Sequence, residues 1–340
     1  MFFLSNTNKS KGHEIVANIA YNRLSNTTQR MIQDILFPND SFHVDDDSIS
    51  PLAAVANWAD KVRYTSEFAW TTPLHYVNIH DKLISGGCPS ESIPDRIPSN
   101  CTFQYERDCI HDKCAVGAIV EFSHEAIGDP SQSISNWKDI PSEWNHLRGQ
   151  YSRSHNQHVF TKREALMLLI HIVGDIHQPL HVSRQSDEGG NTIHVSFPQE
   201  FSEYCDERLG YMHTSWSLHS VWDVGIIEKA MKVYYNGSQK SFQDYIEANY
   251  FTNDDHHDWN SCLDGMNVDC VTKWAEESWN KVLRFAYEDE NGNEIDDGSV
   301  LSDMYFESRL PVVMEQLAIG GMRLASTLER MMNPDDLSWF

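Results

Sequence analysis

The chain has 340 residues, 40% of them hydrophobic, and a formal charge of −24 from 26 basic and 50 acidic residues. That length and apolar content suit a globular chain with a sizeable core and exclude a disordered one. The acidic balance excludes a broad basic surface for polyanions, but not a nucleic-acid enzyme whose bound divalent cations supply local positive charge.

Helical periodicity dominates from the start, over Gly12–Leu24 and Thr27–Leu36. A helix over Pro51–Arg63 follows, with Ser50 as its N-cap and Pro51 in its first turn. Further helices are predicted over Ala115–Ala126, Lys162–Ile176, Trp216–Ala230, Val271–Ala286 and Pro311–Met331. Thr161 and Glu164 make a capping box for the helix over Lys162–Ile176. Only Asn191–Phe197 alternates as a strand does, and segments 81–114, 127–160 and 236–262 are long polar loops. There is no internal repeat and no linker between domains. The expected fold class is all-α, a single mostly helical domain with long disulfide-bearing loops.

Seven cysteines include Cys88, Cys101, Cys109 and Cys114 in one loop, then Cys205, Cys262 and Cys270. Loop cysteines point to disulfides and an oxidising compartment, and the odd count leaves one thiol unpaired or bridged to another chain. Sequons at Asn8, Asn26, Asn39, Asn100 and Asn236 point the same way. A secreted or lumenal glycoprotein is therefore expected, although Met1-Phe-Phe-Leu-Ser is too short for a signal peptide. No run of about 18 apolar residues occurs, so no membrane span is predicted.

From Ala165 to Val173 every residue but His171 is apolar, which marks a helix buried on all sides. His171 and Asp175 lie one turn apart on it, and Pro179 ends it and brings His181 back towards its end. A buried carboxylate needs a cation or several donors, and a metal ion is the simplest occupant. Spacing alone decides nothing: about 2.5 His-x-x-x-Asp/Glu pairs arise by chance in this composition. Three occur, His43/Asp47, His171/Asp175 and His219/Asp223. Context separates them, since the first lies in an acidic polar run and the other two among apolar neighbours. Asp60 falls on the apolar stripe Leu52, Ala56, Ala59, where it is either a ligand or the partner of Arg63 one turn on. His75 lies in an apolar-alternating segment, and His13 opens the first helix.

In order, Gly12-His13-Glu14, Trp58-Ala59-Asp60, Leu74-His75-Tyr76 and His171-x3-Asp175-x2-Gln178-Pro179-Leu180-His181 resemble motifs of one family. Gly189-Gly190-Asn191, Leu218-His219-x2-Trp222-Asp223, Trp274–Ser278 and Gly320–Ala325 complete the set across nearly the whole chain. The chain resembles the zinc-dependent single-strand nucleases, among them fungal secreted nucleases, plant bifunctional nucleases and protozoan 3′-nucleotidase/nucleases. The resemblance implies an all-helical secreted domain with three Zn2+ ions. Asp60, His75, His171 and Asp175 would bind one, and His181, His219 and Asp223 a second. His13 would bind the third, bridged to the first by Asp175. Imidazoles and carboxylates with open positions suit zinc independently of the resemblance.

The resemblance further implies catalytic roles for Asp60 and Arg63, the first orienting the attacking water and the second stabilising transition-state charge. Tyr76, Asn78 and Asn191 match substrate-contact positions, although a core tyrosine and a plain Gly-Gly-Asn turn are adequate alternatives. Cys109 and Cys114 match the family's short disulfide. The implied reaction is hydrolysis of single-stranded DNA and RNA to 5′-phosphate products, with 3′-nucleotides as further substrates, by a monomer with no membrane partner. The implied boundaries are an extension or signal remnant over 1–12, the nuclease domain over 13–332 and a tail over 333–340.

Two departures stand out. The family's mature chain starts with a tryptophan five residues before the first histidine, and its amino group binds the third zinc. Here that position is Asn8, with seven residues before it. Either the sequence comes from a faulty or truncated gene prediction, which we favour because every other ligand position is filled, or the third zinc is weak, differently held or absent. Asn78 stands where many relatives carry an aspartate, so a different base preference is expected. Two other readings compete: a zinc phospholipase C, and a non-catalytic extracellular zinc-binding protein.

Overall fold

The computed structural model describes residues 11–38, 42, 49–81, 102–127, 161–198, 216–251 and 266–333. Twelve α-helices occur among them: α1 (Lys11–Arg23), α2 (Asn26–Leu36), α3 (Pro51–Val55), α4 (Trp58–Val62), α5 (Tyr105–Asp108) and α6 (Ala115–Ile127), then α7 (Lys162–His177), α8 (Leu218–Ser220), α9 (Ile226–Tyr234), α10 (Gln239–Tyr250), α11 (Val268–Lys281) and α12 (Asp303–Met332). The all-α expectation holds. No helix among the described residues is long and apolar enough to cross a membrane.

Helix α7 is the axis of the molecule, with α1, α6, α11 and α12 packed around it. Residues Ala165 to Val173 are all buried, so the apolar run of the sequence is a helix without a water-facing side. Its start is fixed by the predicted capping box, in which the Thr161 side chain accepts from the Glu164 backbone N–H and Glu164 Oε2 from that of Thr161. Ser50 caps α3 as predicted, with Pro51 in the first turn.

Several elements differ from expectation. The helix predicted over 51–63 is broken at Ala56 and Asn57 into α3 and α4. At the break, the Ala56 carbonyl accepts from a histidine of α7. Trp216 and Ser217 form a strand, and residues 221–225 after α8 wind as a π-helix before α9. The predicted strand over 191–197 shrinks to His194–Val195, followed by a single bridge from Ser196 to Val300. The segment 236–262, expected as loop, holds α10, capped by Ser238 and anchored by buried Phe242 and Ile246. Helix α12 begins upstream of Pro311, because Ser302 caps it and buried Tyr305 and Phe306 hold its first turns against the proline's missing donor.

The strands are short but bring distant segments together. β1 (Val77–Ile79) runs parallel to β2 (Val182–Arg184), with Val77 opposite Val182. β3 (His194–Val195) runs antiparallel to β4 (Trp216–Ser217). Cys109 and Cys114 are bridged, and Cys270 is also disulfide-bonded. Of the five sequons, Asn26 and Asn236 lie among the described residues, and both are exposed.

Candidate metal centre

One short strand pair sets two histidines side by side. His75 precedes β1 and His181 immediately precedes β2, so parallel pairing brings the two rings to the C-terminal end of α7. There, His181 Nδ1 donates to the His75 carbonyl at 2.8 Å. The other pair acts likewise on the far side. Gly189 and Gly190 turn with φ of 64° and 78°, and His219 Nδ1 donates to the Gly189 carbonyl at 2.8 Å. A Cβ on Gly189 would lie 2.5 Å from the Leu180 carbonyl oxygen, so only glycine fits this turn. His171 on α7 donates from Nδ1 to the Ala56 carbonyl at 2.7 Å, which is where the helix over 51–63 breaks.

Three imidazoles are thus pinned by backbone carbonyls at Nδ1, and each turns Nε2 inward. Those nitrogens face carboxylates, and His171 Nε2 also lies 3.1 Å from His75 Nδ1. His171 Nε2 lies 3.2 Å from Asp175 Oδ2 and 3.6 Å from Asp60 Oδ1. His181 Nε2 lies 3.4 Å from Asp223 Oδ1, and His219 Nε2 lies 3.3 Å from Asp223 Oδ2. The two oxygens of Asp175 look in different directions. Oδ2 is 2.9 Å from His75 Nδ1, while Oδ1 is 3.3 Å from His13 Nε2. The residue is buried, yet neither oxygen receives a hydrogen bond. A buried carboxylate so placed among imidazoles is stabilised by positive charge, which protons on the rings or a metal ion could supply.

The electrostatics state the same demand. Burial pushes the Asp175 carboxyl up, but the charges of His171 and His181 more than offset it and hold it well below the usual range. Burial pushes the His171 imidazole down, but Asp175 and Asp60 hold it well above its ordinary value. For His181, burial is likewise outweighed by Asp175 and Asp223, and the ring is raised to about 9. Positive charge is wanted here, as protons or as metal.

All eight predicted ligand positions come together. Three groups have ligand atoms within 4.8 Å of one another: His13, Asp60 and His171; His75, His171 and Asp175; and His181, His219 and Asp223. His13 stacks on His171, with ring centroids 3.9 Å apart. That stacking needs Gly174, where a Cβ would lie 2.5 Å from His13 Nδ1. Sequence reasoning passed over Gly174, although a glycine in an otherwise apolar helix beside an acid is itself a signal of close approach.

Asp60 faces the histidines, and Arg63 Nη1 lies 3.4 Å from its Oδ1. Arg63 Nη2 also donates to the exposed Tyr64 hydroxyl at 3.1 Å. Tyr76 lies at the entrance to β1, and burial raises its phenol while the nearby Arg63 charge opposes this. Asn78 is on β1 opposite Ser183. Asn191 is exposed and donates from its amide to the Glu188 carbonyl, closing its own turn. His43, Asp47 and Asn8 lie outside the described residues.

The fold is helical, and its central buried helix ends in a cluster of imidazoles and carboxylates that could hold metal ions. The S1/P1 nuclease family model matches residues 9–333, and the chain belongs to that family. Relatives include Endonuclease 4 of Arabidopsis thaliana, 33% identical over 94% of this chain and 88% of its own. Nuclease S1 of Aspergillus oryzae is 27% identical over 94% of this chain and 89% of its own. Nuclease P1 of Penicillium citrinum is 26% identical over 94% of this chain and 96% of its own.

Proposed function

We propose that this chain is a secreted, zinc-dependent phosphodiesterase that cleaves single-stranded DNA and RNA to 5′-phosphate products and removes 3′-phosphates from nucleotides. The observation that carries the zinc reading is the buried Asp175 carboxylate, its two oxygens facing different histidines and neither hydrogen-bonded. Asp60, His75, His171 and Asp175 would hold one ion, and His181, His219 and Asp223 a second. His13 would hold a third on the Oδ1 side of Asp175. When bound, clustered zinc lowers the pKa of water and polarises phosphoryl oxygens.

The protein's own groups do the rest. Asp60, reached by solvent at the rim, orients a water towards the phosphorus. Arg63 is braced between Asp60 and Tyr64, which fixes its charge for the equatorial phosphoryl oxygens. Tyr76 supplies a flat face for a base, a sequence-tolerant way to hold a single strand. Asn78 and Asn191 offer amides for further substrate contacts. Residues 13–332 form the catalytic domain on this reading, and the enzyme acts as a monomer away from membranes.

Metal content and hydrolysis measured on one preparation test the proposal. Two or three zincs with cleavage of single strands in preference to duplex are expected, with loss on chelation and recovery on zinc addition. Zinc without nucleolytic turnover would sink it, and lecithin cleavage in its place would promote the phospholipase reading.

A further inference from the structure

We infer that Gln178 is a positioning residue that sets both arms of the His181, His219 and Asp223 group, an inference that rests on the zinc reading above. Gln178 is the first residue beyond α7, and its side chain makes two short contacts in different directions. Its Oε1 accepts from the Leu180 backbone N–H at 2.6 Å, which caps the turn Pro179–His181. Its backbone carbonyl accepts from His181 N at 2.9 Å, closing the same turn. Its Nε2 donates to Asp223 Oδ1 at 2.6 Å.

The amide orientation follows from the partners. A backbone N–H only donates and an ionised carboxylate only accepts, so Oε1 must face Leu180 and Nε2 must face Asp223. No other side chain of this length does both without a charge. Glutamate keeps the cap but opposes a carboxylate to Asp223; leucine keeps neither contact.

Asp223 needs such an anchor. It projects from the π-wound turn Val221–Gly225, and its two oxygens face His181 and His219 from that irregular backbone. A neutral donor fixes the carboxylate while leaving its charge for a cation, whereas lysine or arginine would cancel it. Through one side chain the end of α7 therefore sets the reach of His181 and the angle of Asp223 together.

The test compares wild type, Gln178→Leu and Gln178→Glu by zinc titration against a chromophoric chelator, and by the visible spectrum of the cobalt(II)-substituted proteins. Zinc affinity at one class of sites should fall about 10- to 100-fold in Gln178→Leu. It should fall further in Gln178→Glu, which retains the Leu180 cap and so separates the Asp223 contact from folding. The cobalt spectrum should change in both. Wild-type affinity and spectrum in both variants would overturn the inference while leaving the zinc reading intact. Equal loss of every ion, with a lower melting temperature of the chelated protein, would show a folding role and overturn it too. A wild type that binds no zinc would overturn the zinc reading itself, and this inference with it.

Discussion

The two halves of the metal centre are built from different materials. Around Asp175, the ligand-type side chains stand mainly on helices: His13 on α1, Asp60 on α4, and His171 with Asp175 on α7. These are held mainly by packing, down to the absent Cβ of Gly174 under the His13 ring, with the His171 bond to the Ala56 carbonyl added. Around Asp223, the ligand-type side chains stand on a three-residue turn, a single helical turn and a π-helix. There the holding is done by hydrogen bonds to Gly189, His75 and Gln178. Close packing fixes the first half within the core, while the second depends on a few polar contacts near the surface, each worth about 1 kcal/mol or somewhat more with a charged partner.

The largest effect should come from Asp175, the residue that two of the proposed ions share. Asp175→Asn should remove zinc from more than one position and lower single-strand cleavage by at least about 100-fold, beyond the cost of losing an outer contact. Metal analysis beside turnover checks this, and full zinc in that variant would remove the bridge. Asp223→Asn should lose about one ion per chain and leave the helical half loaded. Equal metal loss in both variants would show that the halves are not separate.

Gly174→Ala sharpens the packing side. In wild type the new methyl meets His13, and a cost of about 1–3 kcal/mol is expected on thermal or denaturant unfolding. In a His13→Ala background the same change should stabilise by about 1 kcal/mol, because alanine is the better helix former once the clash is gone. The same sign in both backgrounds would contradict the stacked His13.

The smallest effect concerns pH. His181 is raised to about 9 without metal, so it carries a proton in the fold at pH values where the unfolded chain has lost it. That contribution is fully present below the unfolded value of about 6.5 and is lost as pH rises through about 9. Melting of the chelated protein should therefore fall over that window, and zinc, displacing the proton, should remove this dependence. A zinc titration at neutral pH that releases no protons would count against it.

The helical half was also the legible half. An apolar run from Ala165 to Val173 and a capping box at Thr161 suffice to place α7, His171 and Asp175. What escaped sequence reasoning is long-range. The break in the helix over 51–63 coincides with His171, 115 residues away, bonding the Ala56 carbonyl, and no local propensity encodes that. The β1–β2 pair is three residues long and carries no periodic signal, yet it brings His75 within hydrogen-bond reach of His181. Gln178 was visible as part of a motif, but its two contacts were not. Helix α10 was missed because its polar residues outweigh the few apolar positions that Phe242 and Ile246 bury.

The most direct measurement is anomalous X-ray scattering at the zinc edge from crystals of the zinc-loaded protein. The account predicts separate zinc peaks on the two sides of the Asp175 carboxylate, one near His75 and His171 and one near His13, with a further peak between His181, His219 and Asp223. Peaks on only one side of Asp175 would contradict the bridging role on which the account is built.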